Sequence, residues 1–313
     1  MPISRRTALA LLALSATGCT ASPVVTGGPE GRAPLPEPEP EPTRSATASA
    51  AHQATAGLRA LVASLVDSPQ WEAQPWAVAA LAQCDAHVAR LAVPDPLSDS
   101  EQDVFEVTVG VVATPSDAVA AANRLDAAIA DTARALMAAA GDAEHGDLRL
   151  CYTSIATAVR GLTERSVAPV PGDAAPRRLQ PTTLDASLPI LLGHVWALIY
   201  GLGVGLGRLS GDDALHPVGL ARLNAARELR NELRARLGDQ VPEQPAAFEL
   251  PTPMDSRATI REAWGHLELQ VLEGFARLVA ADPDPAWADG MAAQVAPVQE
   301  TGTALTWWPG WVA

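Results

Sequence analysis

The sequence predicts an all-α protein in two helical halves, and three observations carry that reading. Apolar residues recur at three- and four-residue spacing through most of the chain beyond residue 50. Aromatic residues make up only 4% of the chain and alanine is abundant, a balance that favours helices over a sheet sandwich. Proline-rich stretches separate the periodic runs. At 313 residues and 48% apolar composition, the chain has room for one large domain or two ordinary ones, with a sizeable core.

Residues 1–18 read as a cleavable lipoprotein signal peptide. Arg5 and Arg6 make a positive start, Thr7 to Leu14 is an apolar run, and Ala16-Thr17-Gly18-Cys19 ends it. Small residues before Cys19 match the bacterial lipobox, in which the cysteine thiol receives diacylglyceryl and becomes the new N-terminus. Ser4-Arg5-Arg6-Thr7-Ala8-Leu9 also resembles a twin-arginine export motif, with Ala8 where Phe is usual. The expected location is extracytoplasmic, with the cell membrane reached through the lipid on Cys19.

Residues 19–50 are rich in Pro, Gly, Ser, Thr and Glu. The run Pro36-Glu37-Pro38-Glu39-Pro40-Glu41-Pro42 should be extended and self-repelling, at about 3 Å per residue. Such a segment cannot bury a core and reads as a disordered spacer.

Residues 51–166 read as an N-terminal helical domain. Leu58, Leu61, Val62 and Leu65 mark a first helix; Val78, Leu81, Val88 and Leu91 a second. Val119, Ala122, Leu125, Ile129 and Leu136 mark a third, with Thr114-Pro115-Ser116-Asp117 as its start signal. Leu148, Ile155, Val159 and Leu162 mark a fourth. Val104 to Val112, apolar and β-branched, fits helix or short strand.

Residues 167–181 carry Pro169, Pro171, Pro176 and Pro181 and read as an inter-domain linker. Residues 182–313 then hold four long helical segments, near Leu184–Leu209, Ala214–Leu237, Ser256–Ala281 and Pro285–Trp308. Four such helices in one domain suggest a bundle. Leu188 to Leu206 approaches bilayer length, but it carries His194 and the glycines Gly193, Gly201, Gly203 and Gly205, with Gly207 just beyond. Gly193, Ala197, Gly201 and Gly205 form a small-residue stripe that lets another helix approach closely. We read the segment as the central helix of a bundle rather than a membrane span, because a lipid tether already anchors the chain.

The C-terminal half resembles an actinobacterial family of exported, ferritin-like proteins of unknown function. The likeness runs from about Leu188 to Gly310 and is carried by several short motifs. They are His194 with Tyr200-Gly201, Arg227-x-x-Arg230-Asn231, Ala247-Phe248-Glu249-Leu250-Pro251-x-Pro253-Met254-Asp255, Glu268, and Trp307-x-Pro309-Gly310. Gly193, Ala226, Asn231 and Phe248 stand where the family pattern has Glu, His, Asp and Tyr. The resemblance implies a ferritin-like four-helix bundle at residues 182–313 and no established activity.

Ferritin-like di-metal sites need carboxylates from all four helices and two Glu-x-x-His motifs, and this chain has no Glu-x-x-His. Glu262, His266 and Glu273 share a helix face, but it lies opposite Trp264, Leu267, Val271, Phe275 and Leu278 and should be solvated. Glu268 falls within the apolar face. Arg230 falls among Leu223, Ala226, Leu233 and Leu237 on the preceding helix. Two opposite charges on two core-facing stripes each need a partner, so Arg230 and Glu268 are expected to form a buried ion pair. His194 or Tyr200 is expected to complete that network. A fixed cation there would repel metal, and no metal or cofactor is expected.

After Cys19, only Cys84 and Cys151 remain. Each shares a face with core leucines and the compartment is oxidising, so a disulfide between them is expected. The formal net charge is −14, every basic residue is Arg, and there is no basic stripe to hold phosphates, which argues against nucleic acid. Nucleotide loops, zinc spacings and hydrolase elbows are absent from the sequence. Trp307, Trp308 and Trp311 fit packing at the bundle edge better than a membrane interface.

Three functions follow as expectations. The first is a non-catalytic envelope lipoprotein with a metal-free bundle that holds a protein or ligand. The second is a degenerate di-metal oxidoreductase of the ferritin-like class. The third is a small-molecule binder using the cleft between the two helical halves.

Overall fold

The computed structural model describes residues 44–312 apart from 69, 70, 72, 73 and 116. Residues 1–43, which hold the segments read as a leader and lipobox with Cys19 and nearly all of the Pro/Glu-rich spacer, lie outside the described residues. Regular structure within them is helical, with a single parallel bridge between Val170 and Thr306.

The first half contains α1 (Ala46–Val66), α2 (Pro75–Ala92), α3 (Ala118–Asp142) and α4 (Gly146–Gly161). Helix α1 begins five residues earlier than the composition suggests. Ser45 caps it by accepting from the Ala48 amide, and Ala48 and Ala51 are already buried. Asp117 caps α3 by accepting from Ala120 N at 2.8 Å, and Pro75 opens α2 at its first turn. Residues 104–112 are neither helix nor strand. Residues 105, 107 and 109 are half-buried while 104, 106, 108 and 110 are exposed, and the segment is tied down where Phe105 N donates to the Ala92 carbonyl at 2.7 Å and Gln53 of α1 donates to the Thr108 carbonyl at 3.2 Å.

The second half contains α5 (Leu184–Arg208), α6 (Leu215–Leu237) and α7 (Arg257–Ala281), each within a residue or so of the range read from periodicity. Ser256 and Thr259 form a reciprocal capping box at the start of α7. The fourth segment is not one helix. It divides into α8 (Pro285–Ala293) and α9 (Val295–Glu300), and Thr301 to Val312 continues as turns and loop. Pro297 supplies the reason: its nitrogen cannot donate to the Ala293 carbonyl, while it is tolerated in the first turn of a restarted helix.

Thr43 to Ala313 form one compact unit. Helix α4 is the shared wall. It packs on α3 on one side and on α7, α8 and α9 on the other, and Leu150 through Val159 are all buried. Periodicity marked one apolar face of α4, but Thr153, Ser154 and Thr157 are buried as well. Two of the three hydroxyls are satisfied on the backbone: Thr157 donates to the Thr153 carbonyl of its own helix, and Ser154 donates to the Pro309 carbonyl at 2.8 Å, while the Thr153 hydroxyl has no partner among the described residues. Residues 167–181, read as a linker, carry the bridge to Thr306 and one wall of the cavity described below.

Helix α5 is long and apolar enough to cross a membrane by length and composition, and half of its most apolar stretch is buried inside the protein. It packs on both α6 and α7. A Cβ at Gly201 would strike Leu267 and one at Gly205 would strike the Trp264 ring, so those glycines do set a close approach; a Cβ at Gly193 would meet open space.

Candidate functional site

Cys84 and Cys151 are buried thiols, not a disulfide. Gln83, next to Cys84, reaches α4 at the Ala158 carbonyl, 3.2 Å away, and Ala158 is seven residues or about 10 Å along that helix from Cys151. Burial pushes both thiols up to about 12.

Glu268 is buried, at 1% exposure, and it does hold an arginine, but the arginine is Arg222 rather than Arg230. Arg222 donates from Nε to Oε1 at 2.6 Å and from Nη2 to Oε2 at 2.7 Å, a two-pronged fork. Its Nη2 also donates to Gln294 Oε1 at 3.1 Å, and Gln294, itself buried, donates back to Glu268 Oε2. Arg230 instead bonds its neighbour Asn231 at 2.9 and 3.2 Å.

Axial level decides between the two arginines. Gly219 on α6 faces the Trp264 indole on α7, where any Cβ would clash. One turn beyond each lie Arg222 and Glu268, while Arg230 is about 12 Å further along α6. A small residue opposite a large one was the sequence signal for this register; the face count alone admits both arginines. Gln294 was unforeseeable from a fourth helix read as continuous, because it sits at the break between α8 and α9.

Neither His194 nor Tyr200 joins that network. Tyr200 is exposed and its ring lies 5.8 Å from that of Phe248. His194 donates from Nδ1 to the Gln270 carbonyl on α7, an approach allowed by Gly274, whose missing side chain would crowd the imidazole and Leu191. Burial lowers the His194 pKa, so the ring is neutral and Nε2 is an acceptor with no partner among the described residues.

His194 is one wall of a cavity of about 300 Å³ at the seam between the halves. Leu150 of α4, Ile190 of α5 and Leu179 give it apolar walls; Glu273 and Arg277 of α7 and Arg177 give it charge; Trp311 closes one end. Arg177 donates to the Val312 carbonyl at 2.7 Å. The Trp311 indole N–H is buried without a partner. Glu273 is half-buried, which raises its pKa against the opposing influence of Arg277. Glu262 and His266, expected on the same solvated face, are exposed, so Glu273 alone of the three turns toward a cavity.

Among the described residues, no group of three or more His, Cys, Asp or Glu converges as metal ligands would. Trp308 and Trp311 are buried in the body, and the Trp308 ring sits tilted against the His87 ring, with ring centres 4.8 Å apart. Compared with protein-family models, curated proteins and solved structures, the chain finds no match.

Proposed function

We propose that this chain is an exported lipoprotein, tethered to the membrane at Cys19, whose helical body holds a small molecule in the seam cavity. The lipobox supports the tether. The cavity carries the ligand-holding role: it joins apolar walls to the Glu273 carboxylate, the His194 Nε2 and the Trp311 indole N–H, none of which makes a hydrogen bond among the described residues. Its volume sits at the lower end of the ~300–1,000 Å³ typical of small-molecule pockets.

We further propose that residues 182–313 are a ferritin-like bundle with a broken fourth helix and a non-catalytic role. Its fully buried carboxylate, Glu268, is engaged by the Arg222 fork, and a fixed guanidinium opposes a cation at that place. This argues against the oxidoreductase alternative.

The test is native mass spectrometry of the full lipidated chain, purified gently from its own membranes. A bound small molecule is expected, lost when Ile190→Trp fills the cavity. A wild-type protein free of any adduct, or an adduct that survives Ile190→Trp, defeats the ligand-holding role.

A further inference from the structure

We propose that the seam cavity takes a small zwitterion, an α-amino acid with an apolar side chain, with its ammonium on Glu273 and its carboxylate on Arg277. The inference rests on the ligand-holding reading above and names the class of ligand.

Glu273 and Arg277 are one turn apart on α7, with the acid N-terminal to the base. That is the order in which a helix pair closes most readily. It does not close: among the described residues neither side chain has a hydrogen bond or an ion pair within 4 Å. Elsewhere on the surface even widely separated charges pair, as Arg178 does with both Asp95 and Asp147. The protein thus presents a half-buried anion and a nearby exposed cation to the same cavity, close enough to act on each other's charge but with no hydrogen bond or close ion pair between them.

A plain anion would gain Arg277 and Arg177 but meet Glu273. A plain amine would gain Glu273 but meet both arginines. A zwitterion satisfies each group with its opposite. The neutral His194 ring fits the same arrangement, because its Nε2 lone pair accepts a second ammonium hydrogen while its Nδ1–H stays on Gln270. A ligand ammonium would also offset the desolvation that burial imposes on Glu273. Leu150, Leu179 and Ile190 leave the remaining wall to an apolar side chain.

Calorimetric titration of the full lipidated chain in detergent at pH 7 tests this, with L-leucine, L-valine and L-methionine as probes. Two half-ligands serve as controls: 4-methylpentanoate, which lacks the ammonium, and 3-methylbutylamine, which lacks the carboxylate. At least one amino acid is expected to bind, with each half-ligand weaker by about 10- to 100-fold, the worth of one charged hydrogen-bonded contact. Glu273→Gln should weaken the amino acid by a similar factor and leave 4-methylpentanoate unweakened; Arg277→Gln should do the reverse with the amine. A half-ligand that binds as tightly as the amino acids overturns the zwitterion, as does amino-acid binding indifferent to both substitutions. If no amino acid binds while the native adduct persists and is lost in Ile190→Trp, the ligand class falls and the ligand-holding reading stands. If the adduct is missing too, both fall.

Discussion

The Arg222 guanidinium grips both carboxylate oxygens of Glu268, at 2.6 and 2.7 Å, from one helix to another. Glu268 is more deeply buried than its partner, at 1% against 16% exposure. Arg222→Ala would therefore leave a buried carboxylate with only Gln294 to satisfy it, and a loss of about 3–5 kcal/mol is expected. Arg230→Ala removes only a surface contact to Asn231 and should cost under about 1 kcal/mol. Urea unfolding of both variants decides the matter: equal losses would mean that Arg222 is not the partner on which the fold depends.

The two halves meet backbone to side-chain position at Gly146, where a Cβ would collide with the Ala280 carbonyl on α7. A backbone oxygen cannot swing aside, so Gly146→Ala should destabilise by about 1–3 kcal/mol through forced separation of α4 from α7. Gly193→Ala meets open space in a helix and should stabilise by about 0.5–1 kcal/mol. Thermal melts of the pair should move in opposite directions.

Stability should fall on mild acidification. His87 is fully buried, donates to the Trp307 carbonyl at 2.8 Å and has a bare Nδ1 without a partner; burial lowers its pKa to about 4. Between pH 4 and the ordinary value near 6.5, the unfolded chain binds a proton that the folded one refuses, so folding weakens as pH drops through that window. From pH 7 to pH 5 the His87 share is about 2 kcal/mol. His52, also held near 4 by burial and by Arg44, acts in the same direction. Denaturation at the two pH values should show the drop, and His87→Gln should shrink it even though the variant starts less stable.

Intact mass and alkylation examine the three cysteines together. Native protein should begin at Cys19 with a diacylglyceryl adduct, and Cys19→Ser should leave the membrane fraction. Cys84 and Cys151 should stay unmodified by a thiol reagent at pH 8, because burial holds both near 12, and should react fully in denaturant. A mass two units low, or a soluble chain with another N-terminus, would refute the corresponding claim.

Long helices with strong periodicity and clear caps were legible: α5, α6 and α7 fall almost where spacing puts them. The start of α1 was hidden because its first turn, Ala46 to Ala50, continues the small-residue composition of the spacer before it. The spacing of Leu148, Ile155, Val159 and Leu162 marks a single apolar face of α4 because a face count treats Thr and Ser as polar, whereas the Ser154 and Thr157 hydroxyls close on backbone carbonyls and allow burial on the other sides too. The charged site was half legible. Periodicity identified Glu268 as inward, but the choice of Arg222 over Arg230 depends on axial register between helices, which no single-helix count contains. Glu273 was read as solvated for a related reason: the cavity that half-covers it is built by segments 177–182 and 310–312, remote in sequence and irregular in structure.

Helix α4 and its neighbour α2 are roofed by residues from far downstream. His87 bonds a carbonyl 220 positions later, Ser154 one 155 positions later, and the Gly161 carbonyl accepts from Gln299, 138 positions on. A ribosome adds about 5–20 residues per second, so the first four helices emerge on the order of ten seconds before the strand of chain that seals them. During that interval His87, Ser154 and the face of Gly161 have no permanent covering. The order of synthesis thus delays the finished body until the downstream tryptophans have been made.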